Sequence, residues 1–80
     1  MKKDLSFIGK NIRYFRRQRG WSMAMLADKA GLSEVPLGRI ERGENAPSAT
    51  ALYGLSRALN LSIDLFFTED TQERNLKQAE

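Results

Sequence analysis

Four times along this 80-residue chain a serine stands ahead of a short helix-forming run that closes on glycine or asparagine: Ser6 and Gly20, Ser22 and Gly31, Ser33 and Gly43, Ser48 and Asn60. A serine hydroxyl accepts from the orphan amides that open a helix, and glycine or asparagine takes the left-handed conformation that closes one. The punctuation therefore predicts a succession of short helices. No stretch alternates like a strand for more than a few residues.

Spacing inside the intervals agrees. Ile8, Ile12 and Phe15 fall at i, i+4 and i+7, one face of a helix, and residues 23–30 are good helix formers. Leu37 and Ile40 share a face of a short third helix. Residues 43–47, Gly-Glu-Asn-Ala-Pro, read as an ordered loop, too short to separate domains. Ala51, Leu52, Leu55, Ala58 and Leu59 form the stripe of a fourth helix, and Ser62 opens a fifth over residues 63–67. The expected fold is all-α: one compact five-helix domain over residues 1–67. A polar tail over residues 68–80 follows, with Leu76 and Ala79 its apolar residues.

Eighty residues fill a single core, and 41% apolar with 29% charged residues is ordinary for a folded domain. The chain has no cysteine and no histidine. Disulfides, Cys/His metal sites, thiol nucleophiles and the usual general base are thereby removed, so neither an enzyme nor a metal or cofactor is expected. The net charge of +3 hides a gradient. Through Gly43 there are ten Lys/Arg against four Asp/Glu, and beyond it three against six. A basic half suits a polyanionic partner. No apolar run approaches the roughly 20 residues of a membrane span, and no signal-peptide pattern opens the chain. A cytoplasmic protein without membrane contact is expected, in keeping with the absent cysteine.

Residues 23–42 carry the functional signal. Two short helices joined by Gly31-Leu32-Ser33 have the length of a helix-turn-helix, whose second helix enters the DNA major groove while the first crosses the backbone. Small Ala27 lets the helices approach, Gly31 takes the positive φ of the turn, and Leu26, Leu37 and Ile40 face inward.

In these marks the chain resembles the Cro/lambda-repressor-like, or xenobiotic-response-element (XRE), helix-turn-helix family. The resemblance rests on Ile8-Gly9, on Ile12 through Arg16 and on Leu26-Ala27. It continues through Gly31-Leu32-Ser33, Ile40-Glu41-Arg42-Gly43, Pro47-Ser48 and Ala58-Leu59-Asn60-Leu61-Ser62, spanning roughly residues 5–67. It implies a transcription regulator, a repressor or operon controller, that binds palindromic double-stranded operator DNA as a homodimer. Carried over by position, Glu34, Val35, Gly38 and Arg39 read bases. Ser22, Met23, Ser33, Arg42 and Asn45 hold phosphates together with Arg19, and Arg16 pairs with Glu41 as a structural clamp. Arg39 suits guanine O6 and N7, Val35 a thymine methyl, and Glu34 cytosine N4. Arg13 and Arg17 are expected in solvent, Tyr14, Phe15, Trp21 and Tyr53 in core and rim.

Three departures from that family bear on reading. Met23 replaces the glutamine usual at the start of the second helix, and the third helix lacks the usual Gln, Asn or Lys readers. Pro36 disfavours helical dihedrals at Val35, so a late helix start is expected, with Glu34 and Val35 extended. Phe66 and Phe67, adjacent near the end of the domain, are expected to supply a dimer contact. The depleted third helix and the polar tail also support an alternative, an antitoxin or protein-interaction module that binds a protein partner and autoregulates its operon.

Overall fold

The computed structural model describes residues 5–69. Four α-helices, α1 (Ser6–Gln18), α2 (Met23–Ala30), α3 (Glu34–Glu41) and α4 (Ala49–Leu59), precede a 3-10 helix over Ile63–Phe67. No strand occurs among the described residues. Each α-helix stops at the residue the sequence nominates: Gly20, Gly31, Gly43 and Asn60 have φ of 70°, 73°, 80° and 56°. The amide after each returns to a carbonyl in the last turn, Trp21 to Arg16, Leu32 to Ala27, Glu44 to Arg39 and Leu61 to Ser56. This satisfies carbonyls that a helix end otherwise leaves bare.

Helix starts follow the serines less uniformly. Ser22 Oγ accepts from the Met25 amide and Ser48 Oγ from the Ala51 amide, each at 3.1 Å. Ser6 lies inside α1, whose N-cap is Leu5. Ser33 occupies the N-cap of α3 with extended dihedrals but its side chain accepts no capping bond. The residue three places on is Pro36, which has no N–H to give. The expected fifth α-helix is instead a 3-10 helix, with Leu65 N–H donating to Ser62 O and Ser62 Oγ accepting from Asp64 N. Five residues close too few i→i+4 bonds to favour the wider helix, and the tighter turn suits short pieces.

The core is Ile8, Ile12, Leu26, Ala27, Leu37, Ile40, Ala51, Leu55, Leu59 and Phe66. Phe66 is fully buried and meets the Phe15 ring edge-on at 6.3 Å, which excludes it from the dimer contact expected of it; Phe67 is exposed. Two glycines inside helices set how closely the layers pack. A Cβ on Gly9 would overlap the Ile40 carbonyl of α3, and one on Gly54 the Ala30 carbonyl at the end of α2. α1 thus lies against α3 and α4 against α2 at backbone distance.

Asn11 is 2% exposed and donates from Nδ2 to the carbonyls of Phe66 at 2.8 Å and Thr68 at 2.9 Å. It ties α1 to the 3-10 helix and so seats Phe66 in the core. Asn11→Ala removes donors from two carbonyls, of which the Phe66 bond is buried, and is expected to cost about 2 kcal/mol. Faster hydrogen exchange and proteolysis confined at first to residues 61–69 would report the loosened end. Of the expected tail, residues 70–80 with Leu76 lie outside the described residues.

Candidate nucleic-acid interface

α2 and α3 meet through buried Leu26, Ala27 and Leu37, with Ala27 at 3% exposure allowing the close approach. The turn between them is fixed by Gly31 and the return bond from Leu32. α3 runs helically from Glu34, so Glu34 and Val35 are its first turn and not an extended approach. Pro36 sits at the third helical position, where its missing amide would have had no intrahelical acceptor. That correction gives α3 a rigid, proline-stiffened start.

The exposed face of α3 carries Glu34, Val35, Pro36 and Arg39, and Val35 is 64% exposed. The Arg39 side chain makes no hydrogen bond or ion pair among the described residues, although its charge contributes, after Arg42, to lowering the Glu44 pKa. Gly38 departs from the expected set. It is buried, and its backbone floors a shallow cleft lined by Met23, Glu34, Val35 and Arg42. It cannot present a reading group of its own.

Behind this face lies the clamp. Arg16 Nε donates to Glu41 Oε2 at 2.8 Å and Nη2 to Oε1 at 2.9 Å, a fork-to-fork pair, while Nη1 donates to the Trp21 carbonyl at 2.9 Å. Arg16 is 8% and Glu41 4% exposed. The hydrogen bond to Glu41 holds the Arg16 guanidinium above its ordinary, already high pKa. The last turn of α3 is thereby bolted to the last turn of α1, which fixes how far the recognition face projects.

Around the face, Ser22 and Asn45 are exposed, Met23 is half-buried, and α2 begins with no acidic residue in its first turn. A helix N-terminus of this kind favours anions. Glu34 puts an acid in the first turn of α3 instead. Arg42 is paired through Nε with Glu44 Oε2 at 2.7 Å, and the bond lowers the Glu44 pKa and raises that of Arg42. Arg19 is committed elsewhere. Its guanidinium donates to the carbonyls of Phe15 and Leu59 and lies 5.8 Å from the Trp21 ring centre, so it caps the end of α4 rather than reaching for phosphate. Its place at the C-cap of α1 was the available sign, since a cation there is near bare carbonyls. Asn11, absent from the sequence-derived set, had a sign too: it falls between Ile8 and Phe15 on the apolar face.

The family model described as helix-turn-helix matches residues 12–66, a span from mid-α1 through Phe66. The chain belongs to the helix-turn-helix family. This helix-turn-helix protein is 39% identical over 56 residues to the uncharacterized HTH-type transcriptional regulator YazB of Bacillus subtilis, covering 70% of this chain and 81% of that one. It is 36% identical over 62 residues to the HTH-type transcriptional regulator SutR of Escherichia coli, covering 78% of this chain and 35% of SutR. The matched region is thus about a third of SutR. Among solved structures, the restriction-modification controller protein C.AhdI from Aeromonas hydrophila superposes with a TM-score of 0.76 at 31% identity, over 80% of this chain and 97% of that one. A SinR protein/SinI protein complex gives 0.75 at 31% identity, over 90% and 73%.

Proposed function

We propose that this helix-turn-helix protein is a sequence-specific, DNA-binding transcription regulator that acts as a homodimer on a palindromic operator. Residues 1–67 form its DNA-binding domain. The observation that carries the proposal is the outer face of α3, where Glu34, Val35 and an exposed Arg39 stand together on a helix bolted in place by Arg16 and Glu41. Arg39 donates to guanine, Val35 packs on a thymine methyl, and Glu34 accepts from cytosine. The amino end of α2 at Ser22 and Met23, with Ser33 and Asn45, holds phosphates and sets the register. Phe67, 43% exposed, supplies the dimer contact. The C.AhdI neighbour, a restriction-modification controller protein nearly covered by the match, supports an operon-controller role, and a cytoplasmic location is part of the same proposal. No described helix is long and apolar enough to cross a membrane.

Salt dependence tests the electrostatic half of this proposal. If a dimer makes about six phosphate contacts, affinity for operator duplex falls roughly a thousandfold between 50 and 200 mM salt. A flat response contradicts it. A protein partner is the second reading, supported by the SinR neighbour having been solved in complex with SinI protein. Stoichiometric co-purification of a partner that competes with duplex DNA would favour it.

A further inference from the structure

We propose that Arg42 reads a base through the gap that Gly38 leaves in α3, with Glu44 as its brace; this rests on the DNA-binding function proposed above and deepens it. The middle of the recognition helix has no side chain at Gly38. A Cβ placed there would meet Arg42 Nη1 at 3.0 Å and Met23 Sδ at 3.3 Å. The guanidinium of Arg42, one turn further along, therefore folds back over the position at which another helix would carry a reading side chain. It shares the cleft with Met23, Glu34 and Val35.

The hydrogen-bond pattern specifies what that guanidinium can do. Its Nε is taken by Glu44 Oε2 at 2.7 Å, whereas Nη1 and Nη2 make no hydrogen bond among the described residues. Two coplanar donors at the tip of a braced fork match a pair of acceptors side by side, which guanine presents as O6 and N7 in the major groove. A phosphate can take the same fork bidentately, so what separates the two roles is whether a loss falls on one base pair or on every sequence alike. Position alone had grouped Arg42 with the phosphate contacts; the geometry moves it to the reading face. Glycine inside a helix is less favourable than alanine, and here its lack of a side chain is what admits Arg42.

The test uses the full chain and a duplex panel carrying every single-base substitution in an operator selected by the wild type. The wild type is expected to discriminate about tenfold or more at the base pair Arg42 reads. Arg42→Lys flattens that one position and leaves the others. Gly38→Ala flattens the same position, because the atoms a Cβ meets are the ends of flexible side chains and yield while the helix holds. The double variant flattens it no further. Uniform weakening by Arg42→Lys with the pattern unchanged overturns the proposal and leaves DNA binding standing, and so does a Gly38→Ala protein that keeps the wild-type pattern. A wild type that discriminates nowhere overturns both this proposal and the function it rests on.

Discussion

Gly9→Ala lowers the thermal midpoint by about 10 °C, although helix propensity alone predicts the reverse. Alanine is better than glycine in a helix interior by about 1 kcal/mol. Against that gain, the added methyl overlaps the Ile40 carbonyl oxygen and comes within 3.0 Å of Glu41 Cα. These are backbone atoms of a packed helix and cannot swing aside as a side-chain tip does. α1 and α3 must separate, and separation also draws Glu41 away from Arg16. Overpacking of this kind costs about 3 kcal/mol, and in a domain of this size each kcal/mol is worth roughly 4–8 °C. Circular dichroism melts of the two proteins decide the matter. A variant that melts at or above the wild type would mean that α1 does not rest on α3 at backbone distance.

Glu41→Ala is the other large effect, expected at about 3–5 kcal/mol. The loss exceeds the value of the bonds themselves because Arg16 stays charged and nearly buried, keeping of its three hydrogen bonds only the one to the Trp21 carbonyl. For a domain whose whole stability is of the order of 4–12 kcal/mol, that is about a quarter or more of the total. The physical cause makes a second, sharper expectation. Arg16→Met combined with Glu41→Leu removes both charges and is less destabilised than Glu41→Ala alone, since no unpaired ion is left in the interior. Urea unfolding of the wild type, the single variant and the double variant separates the cases. If the double variant is the least stable, the pair contributes net attraction beyond the cost of desolvating it.

The parts of the fold that follow from chemistry local to a few residues were legible in the sequence. Gly20, Gly31, Gly43 and Asn60 end helices because a left-handed residue is needed at each end, and composition shows where one is available. The apolar stripes of α1 and α4, and the pairing of Arg16 with Glu41 carried by family resemblance, are of the same kind. What stayed hidden depends on which distant atoms meet. Asn11 bonds carbonyls 55 and 57 residues away. Arg19 is drawn to the Leu59 carbonyl 40 residues on. Gly38 looks outward by helical position, yet Met23 and Arg42 close over it. At Pro36, the local bias against a helical Val35 lost to the packing of Leu37 and Ile40, which holds α3 helical from Glu34. The same proline leaves Ser33 without the third-position amide that Ser22 and Ser48 cap in their own helices.

Charge tells a similar story. Arg16 and Arg19 lie in the basic half of the chain but spend their donors inside the fold, and Arg42 shares its own with Glu44. The excess that remains for DNA is smaller than the sequence sum suggests. On the proposed function, specificity would fall on few groups, with Arg39 and Val35 foremost.

Selection of bound duplexes from a random pool tests the central claim most directly. The account predicts a palindromic consensus with half-sites about one helical turn apart, carrying a guanine whose replacement is tolerated by Arg39→Ala and not by the wild type. Recovery of duplexes with no shared sequence, or of a consensus that Arg39→Ala leaves unchanged, would contradict it.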